Sequence, residues 1–537
     1  MKKASLILLI LALLFILFGC QKKQSSNLRA ENTFNIASGS ENEQLETIFQ
    51  RFANKEKIKL NIDYMGSVDI MLELKKPNTH YDAVLPANSL WIALGDNDIK
   101  RVKLIKSIMH SPIVFGIKKS VVKKLGWLNK DVTIQDILKA LESGQIHLMN
   151  TSATQSNSGA VAYIGYLYAF AGNPPMLTEK HISDPLVTEN VKRLFSKVER
   201  SSGSSGWLKN LFIERYDHFN AFVNYESMLI SANQELVSKG KEPIYAIYPV
   251  NGLAIADSPL GYIDKGDPQK AIVFKKLQDY LLSDEIQQEL QLLGRRTRLI
   301  NLYKTKDDKS IFNPEWGIDT SKIIKPIKFP QSDVILKALN LYQTTLRKPS
   351  FTVYALDFSG SMSMNGENKL KEAVTILLGQ KESRKYLLQA SDSDITIVLP
   401  FNHEVIAEYS VIGNDPKKLG ELISKINRLS SDGGTDIYLP ILRAFEIFEK
   451  NRDQLSNYFP AVIIITDGKS NENKNSIEIL KQFMRDHNFG WNIPVFGITI
   501  GDADKEQLEE ISALTFGQVF DGTKDLISAL RKARGHN

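Results

Sequence analysis

Short apolar runs recur along the chain, and stretches with a helical spacing of apolar positions separate them. In the carboxyl-terminal third the runs are Phe351–Leu356, Ile395–Leu399, Ala461–Thr466 and Val495–Ile500. Each has the length of a strand and is apolar at nearly every position, which is typical of a strand that is buried on both faces of a parallel sheet. The intervening helical patterns predict a doubly wound α/β sheet over residues 350–537.

Residues 33–310 repeat this alternation with weaker strands. Strand-like runs occupy Thr33–Ala37 and Ile58–Tyr64, and the helical pattern Glu43–Phe52 lies between them. Further alternation follows, and it ends in a helical pattern over Asp279–Leu293. We therefore expect a second α/β region here. Residues 311–349 are rich in proline and predict a linker, with a helix over Ser332–Leu346 that packs on one neighbour.

Asp357 ends the first strong strand, and Ser359 and Ser361 follow it at alternate positions. The carboxyl ends of parallel strands meet at one edge of a sheet, where ligands bind. Carboxylate and hydroxyl oxygens are hard donors, which suit Mg²⁺ and similar ions. The other strands end at Asn402, at Asp467 and at Gly501-Asp502, and residues 432–436 form a glycine-hinged loop. The sequence predicts a metal site here, because three loops bring oxygen donors to one edge.

The same residues resemble the von Willebrand factor A domain, a Rossmann-like fold. Asp357-Phe-Ser-Gly-Ser361 fits the D-x-S-x-S motif of that family, Gly433-Gly-Thr-Asp436 fits its threonine loop, and Thr466-Asp-Gly468 fits its second aspartate. The resemblance implies a metal-ion-dependent adhesion site for Mg²⁺ (or Mn²⁺/Ca²⁺), with one coordination position left for a partner carboxylate or water. Its implied ligands are Asp357, Ser359, Ser361, Thr435 and Asp467. We interpret Asp436 as a helix cap or a residue behind the ligands.

Residues 33–310 resemble a type II extracellular solute-binding protein, through the first strand with Ser38-Gly-Ser40, the loop Ala153–Gly159, and Asn224-Tyr-Glu226. The resemblance implies two α/β lobes hinged about a ligand cleft. The candidate cleft residues are Ser38, Ser40, Ser156, Asn157, Ser158 and Glu226. Helix caps and polar loop residues explain the same pattern equally well, so both interpretations stay open. We interpret Arg295–Arg298 as a solvated helix end rather than as the partner of an anion.

The amino terminus has the order of a secretory signal. Lys2 and Lys3 precede the apolar run Ala4–Phe18, which is too short to span a membrane comfortably. Leu17-Phe-Gly-Cys20 resembles the lipobox of bacterial lipoproteins, which implies removal of residues 1–19, diacylation of Cys20 and a polar tether over residues 20–32. The alternative is an uncleaved anchor with an incidental cysteine. Both interpretations place the protein at the extracytoplasmic face of the cell membrane.

Composition and the motifs that are missing from the sequence exclude several classes of function. Lys and Arg total 67 against 61 for Asp and Glu, with no dense basic stripe, so we expect no nucleic-acid partner. The single cysteine excludes an internal disulfide framework. Neither an H-E-x-x-H pair nor a nucleophile–base set is present, so we expect no enzyme activity.

The sequence therefore predicts a membrane-anchored binding protein. Its amino-terminal cleft would take a small molecule, and its carboxyl-terminal domain would engage an extracellular or envelope protein partner through the metal. The alternative is the substrate-binding receptor of an ABC importer, with the carboxyl-terminal domain as an accessory docking module.

Overall fold

A computed structural model describes residues 33–298, 308–320, 325–363, 365–468, 470–471, 475–501 and 505–536. The predicted signal peptide, Cys20, the tether and Asp502 lie outside the described residues. Within the described ranges, no helix is both long enough and apolar enough to cross a membrane.

The strands follow the predicted alternation. They are β1 Thr33–Gly39, β2 Lys59–Met65, β3 Ala83–Leu85, β4 Val102–Ser107, β5 Ser111–Lys118, β6 Leu148–Thr151, β7 Val198–Ser202, β8 Ala221–Tyr225, β9 Ile244–Ile247, β10 Ile255–Ala256, β11 Pro259–Ile263, β12 Ser350–Asp357, β13 Ile395–Phe401, β14 Tyr409–Ile412, β15 Phe459–Thr466, β16 Val495–Thr499 and β17 Val519–Asp521.

The α-helices lie between these strands. They are α1 Glu46–Glu56, α2 Ser67–Leu74, α3 Ser89–Gly95, α4 Lys119–Lys124, α5 Ile134–Glu142, α6 Asn157–Phe170, α7 Glu179–Ile182, α8 Pro185–Ser196, α9 Ser205–Glu214, α10 Glu226–Ser238, α11 Pro268–Leu281, α12 Asp284–Leu292, α13 Asp308–Ile311, α14 Ser332–Leu341, α15 Asn365–Leu378, α16 Gln380–Ser383, α17 Pro416–Asn427, α18 Tyr438–Lys450, α19 Ile477–His487, α20 Glu506–Leu514 and α21 Leu526–Gly535. Short 3₁₀ or π segments occupy Ser40–Leu45, Pro314–Trp316, Tyr342–Leu346, Gly360–Met362, Arg384–Tyr386 and Arg452–Asn457.

The amino-terminal region forms two lobes, each built on its own sheet. Lobe 1 has the strand order β2-β1-β3-β11-β4, in which β11 returns antiparallel to β3 and β4. Lobe 2 has the order β10-β5-β8-β6-β7, and β9 pairs with β5. The chain therefore passes from lobe 1 to lobe 2 after β4 and returns to lobe 1 at β11. Two such crossings give the hinged, two-lobed arrangement that the resemblance implied.

The carboxyl-terminal domain has the strand order β14-β13-β12-β15-β16-β17. All pairings in this path are parallel except that of β13 with β14. Successive residues of β12 face opposite cores: Val353 and Ala355 pack on one side, and Tyr354 and Leu356 pack on the other. Burial on both faces explains why the strands here are apolar at nearly every position.

Two expectations need correction. The helix expected over residues 279–293 is two helices, α11 and α12, because the backbone of Ser283 is extended and starts the second one. The linker helix α14 exists, but it packs on lobe 2 and on the carboxyl-terminal domain rather than on one neighbour, since Gln389 donates to Asn340 and Tyr163 donates to Ala338 O.

Candidate functional site

Asp357 and Asp467 lie side by side at the carboxyl edge of the carboxyl-terminal sheet. β12 and β15 are neighbours in this sheet, with Leu356 paired to Ile465, so Asp357 ends one strand where Asp467 follows the other. The strand order reverses at this pair of strands. Open α/β sheets form their ligand crevice at such a point, beyond the carboxyl ends of the strands.

A chain of hydrogen bonds joins four of the predicted metal ligands. The Ser359 N–H donates to Asp357 Oδ1 at 2.8 Å, and Thr466 Oγ1 donates to Asp357 Oδ2 at 2.5 Å. The hydroxyls of Ser359 and Ser361 share a hydrogen bond of 3.2 Å, and Ser361 Oγ donates to Asp467 Oδ1 at 2.8 Å. Asp357 and Ser359 are buried whereas Ser361 is exposed, so the cluster opens to solvent on one side.

The threonine loop packs against this cluster. Gly360 N–H donates to Gly433 O at 2.9 Å, and Gly433 has a φ of +76°, which favours glycine at this turn. Thr435 is buried, and its N–H donates to Asn471 Oδ1 at 2.9 Å, which ties the loop to the segment after β15. Asp436 precedes Ile437, the N-cap residue of α18, and its Oδ1 accepts from Tyr438 N at 3.1 Å and from Leu439 N at 3.2 Å, so its carboxylate bonds the first N–H groups of this helix.

The electrostatics of the cluster favour a cation. Burial raises the pKa of Asp357, the Asp467 carboxylate nearby raises it further, and hydrogen bonds from Thr466 and Ser359 oppose the rise. A cation between the two carboxylates would compensate for the burial of Asp357 and for its repulsion by Asp467. No group of three or more His, Cys, Asp or Glu side chains placed to hold a metal occurs in the described part of the chain. The donor set here is instead two carboxylates with three hydroxyls, which fits a hard ion such as Mg²⁺.

A second candidate site is a cavity of about 420 Å³, here called the interlobe cavity. The two lobes and the carboxyl-terminal domain all contribute to its wall. Its lining from lobe 1 is Ser40, Glu41, Glu43, Gln44, Tyr64, Met65, Gly66 and Asp69; from lobe 2 it is Gln155, Gly203, Ser204, Gly206, Trp207, Lys209, Asn210 and Met228; and from the carboxyl-terminal domain it is Gln518, Phe520, Lys532 and His536.

Ser40 is the one predicted cleft residue in this lining. Ser204 Oγ of lobe 2 donates to Ser40 Oγ at 3.2 Å, so the two lobes meet across a hydrogen bond at the cavity wall. Ser38 is buried behind the wall, where its hydroxyl accepts from Asn42 Nδ2 at 3.2 Å.

The hydroxyl-rich loop before α6 is buried, and the side chains of Ser156, Asn157 and Ser158 bond to the protein rather than facing the cavity. Ser158 Oγ lies 2.7 Å from both Thr151 Oγ1 and Ser205 Oγ, and Ser156 Oγ lies 2.9 Å from Ser205 Oγ. Asn157 accepts from Trp91 Nε1 of lobe 1 at 2.6 Å and donates to the hydroxyl of Tyr225 at 3.0 Å. The loop therefore joins the two lobes through the hydrogen bond between Asn157 and Trp91.

Glu226 forms a buried ion pair instead of lining the cavity. Its two oxygens accept from Arg296 Nε and Nη2, both at 2.7 Å, and the Tyr248 hydroxyl donates to it as well. The interpretation of Arg295 and Arg296 as a solvated helix end is wrong, because both side chains are buried. Arg295 Nη1 donates to Ser227 Oγ at 2.6 Å, and burial lowers the pKa of Arg295 to about 10.

The contribution of α21 to the cavity was missed in the sequence. Asp525 caps this helix by accepting from Ser528 N at 2.9 Å, and apolar residues follow at helical spacing. Leu526, Ala529, Leu530 and Ala533 form this buried stripe. The cap and the spacing are sufficient to predict the helix. The position of α21 beside the cavity depends on how the domains pack, and no local sequence pattern predicts that packing.

Two family models cover most of the chain. The bacterial extracellular solute-binding protein model matches residues 34–296, and the von Willebrand factor type A domain model matches residues 353–525. The chain combines a solute-binding domain with a von Willebrand factor A domain. From here on, the two lobes are called the solute-binding domain, and the carboxyl-terminal domain is called the A domain. Such domains are typically binding modules, so the chain is an extracytoplasmic binding protein.

Solved structures of solute-binding proteins resemble the chain at low identity. The sulfate-binding protein SubI from Mycobacterium tuberculosis H37Rv is 13% identical and covers 57% of this chain and 96% of its own, with a TM-score of 0.39. The periplasmic binding protein AfuA from Actinobacillus pleuropneumoniae is 14% identical (58% and 97% covered, TM-score 0.41), and maltose-bound MalE3 from T. maritima is 14% identical (58% and 93% covered, TM-score 0.43). No curated protein matches the chain significantly.

Proposed function

We propose that the protein captures a small polar solute between the lobes of its solute-binding domain and engages a protein partner through a metal ion on its A domain. The observation that carries the proposal is the interlobe cavity, which has a polar lining from both lobes. Its volume of about 420 Å³ falls in the range of roughly 300–1,000 Å³ that is common for small-molecule sites.

The lining favours a solute that carries hydrogen-bonding groups and at least one charge. Glu43 and Lys209 bring opposite charges to the wall, and Trp207 offers an aromatic surface. Burial raises the pKa of Glu43, so a cationic group beside it would stabilise the ionised carboxylate. Another cavity, of about 750 Å³, lies beside the linker helix and has a more apolar lining. We place the solute in the interlobe cavity, because its polar lining comes from both lobes and the hydroxyls of Ser40 and Ser204 meet across the lobes at its wall.

A thermal-shift screen on the full chain tests the solute assignment. Sugars, oxyanions, amino acids and polyamines form the panel, and a ligand at 100 times its Kd raises stability by about 2.7 kcal/mol. We expect one class to raise Tm, and we expect Trp207→Ala and Glu43→Gln to reduce that rise. Glu189→Gln is the matched control, since Glu189 is exposed on α8 and does not line the cavity. A hit whose Tm shift survives both cavity variants would place the solute elsewhere.

We propose that Asp357, Ser359, Ser361, Thr435 and Asp467 hold Mg²⁺ or Mn²⁺, and that a carboxylate of the partner completes the coordination. Three observations support this: the donors lie at the sheet's switch point, the cluster opens to solvent at Ser361, and the two carboxylates share a chain of hydroxyls. The ion would supply a positive site for a partner's Asp or Glu. The chain's own part is to hold the carboxylates and hydroxyls on rigid strand ends.

Metal addition to the full chain tests this assignment. We expect Mg²⁺ or Mn²⁺ to raise the Tm of the wild type, and Asp357→Ala and Asp467→Ala to abolish that rise. Asp392→Asn is the matched control, because Asp392 is exposed just before β13, at the opposite edge of the same sheet. A wild-type Tm that does not change with either ion, or a rise that both alanine variants retain, would disprove the site.

We also propose that Cys20 anchors the protein to the membrane through lipid, on the basis of the lipobox resemblance and the extracellular family of the solute-binding domain. Stable anchoring needs more than one acyl chain, and diacylation of Cys20 would provide that.

A further inference from the structure

The last helix of the A domain, α21, lies at the interlobe cavity and contacts both lobes. Lys532 and His536, at its carboxyl end, belong to the cavity wall, and so do Gln518 and Phe520. We infer that α21 is a latch that holds the two lobes closed over the cavity, so that entry or release of solute requires the loss of at least one of its contacts with the lobes. This inference rests on the proposed solute site and adds its regulation.

Arg531 is the centre of the latch. Its side chain is only 1% exposed, although it is a cation at a boundary between domains. Nε donates to Asp69 Oδ1 of lobe 1 at 2.5 Å, and Nη1 donates to Thr154 O of lobe 2 at 2.8 Å. Nη1 also donates to Tyr386 O within the A domain at 3.1 Å. One guanidinium therefore joins both lobes to the A domain, through charge-assisted hydrogen bonds removed from water.

Gln155 marks the point where the three parts of the chain meet. A Cβ added to Gly66 of lobe 1 would lie 2.5 Å from Gln155 O, and one added to Gly535 of α21 would lie 2.3 Å from Gln155 Cγ. Real Cβ atoms do not approach other atoms so closely. The loop of lobe 2 is thus packed between lobe 1 on one side and the end of α21 on the other, and the contact with Gly66, which meets backbone, requires glycine.

His536 extends the contact on lobe 2. Its ring packs edge-on against Trp207, with 4.9 Å between centroids, and its Nδ1–H donates to Lys532 O at 2.8 Å. Burial lowers the pKa of His536 to about 4, so the imidazole is neutral at neutral pH and packs as an apolar ring. Gly203 admits this ring, since a Cβ there would lie 3.1 Å from it.

These contacts have one consequence for opening. Solute-binding proteins open by a hinge motion of one lobe relative to the other. Here Arg531 would have to leave either Asp69 or Thr154 when the lobes separate, because one side chain cannot follow both. Opening of the cleft therefore breaks at least one of these hydrogen bonds, so Arg531 on α21 stabilises the closed arrangement as long as both are intact.

Amide hydrogen exchange of the full chain without solute tests the latch. Arg531→Ala removes the guanidinium that the A domain contributes to the latch. Asp69→Asn removes the charge of its partner in lobe 1 and leaves the A domain unchanged. We expect both variants to speed exchange roughly tenfold or more in segments 66–70 and 152–156, which face each other across the lobes, because a charge-assisted hydrogen bond is lost in each.

Arg534→Ala is the matched control. Arg534 lies three residues after Arg531 on the same helix. Its hydrogen-bond partners, Leu388 O and Asp394, both lie within the A domain. We expect it to change exchange in the A domain and to leave segments 66–70 and 152–156 as in the wild type. The latch is disproved if Asp69→Asn leaves those segments unchanged, or if Arg534→Ala alters them as much as Arg531→Ala does. No solute is used, so this outcome is independent of the solute screen.

Discussion

At the scale of single residues, Asp394 fixes the linker to the A domain. It is buried, and it accepts from Arg347 Nη1 at 3.0 Å, Ser350 N at 2.8 Å and Ser391 N at 2.9 Å. Burial alone would raise the pKa of Asp394, but the charges of Arg347 and Arg534 and these hydrogen bonds lower it to about 2. The two arginines and the two backbone N–H groups around Asp394 therefore keep its carboxylate ionised.

This environment predicts acid sensitivity. Because the folded pKa lies below the unfolded value of roughly 3.9, the stabilisation is complete above that value and is lost as pH falls towards 2, a difference of about 2 kcal/mol. Asp394→Asn should cost about 3–5 kcal/mol at pH 7, since it leaves Arg347 buried without its carboxylate. Thermal unfolding at pH 7, 4 and 3 checks both expectations, with the exposed Asp392→Asn as control. Equal losses of Tm on acidification in the wild type and in Asp394→Asn would contradict the assignment.

The grouping of Asp357, Ser359, Ser361 and Asp467 could be predicted from the sequence, whereas only Ser40 of the cavity lining could. Asp357, Ser359 and Ser361 follow a strand end, and short-range sequence is enough to place them together on one loop. Glu226 forms an ion pair with Arg296, which is 70 residues away in the sequence, and Arg531 forms one with Asp69, which is 462 residues away. No local pattern distinguishes a buried glutamate that pairs with an arginine from one that faces a ligand.

At the scale of elements, burial decided which strands could be recognised. The central strands β12, β13, β15 and β16 are apolar at nearly every position, because both faces of the sheet are covered. β4 lies at the edge of lobe 1 and exposes Leu104 and Ile105, so its pattern has no apolar face to detect. The short strands β14 and β17 at the edges of the A domain were missed for a related reason, since few of their side chains are buried.

At the scale of the whole molecule, the two modules share an interface with buried polar groups. Thr154 of lobe 2 donates to Gln343 Oε1 of the linker at 2.9 Å, and Gln343 Nε2 donates to Gln389 O of the A domain at 2.8 Å. Arg200 of lobe 2 donates to Phe516 O at 3.0 Å, and burial lowers its pKa to about 9. Modules joined only by a flexible tether would leave such groups in water.

We therefore predict that the solute-binding domain and the A domain unfold together. Separation would break the hydrogen bonds of Arg531, Gln343 and Arg200 across the interface at once, and each such bond contributes about 0.5–1.5 kcal/mol, or about 1.5–3 kcal/mol where the donor is charged. Calorimetry of the full chain should show a single main transition, and the double variant Arg531→Ala/Gln343→Ala should split it into two. Gly420→Ala is the control, because it lies in helix α17 of the A domain with no atom in the way of a Cβ, and it should keep the single transition. Two separate transitions in the wild type would mean that the interface contributes too little free energy to couple the modules, and α21 would then lack the strength to hold the lobes closed.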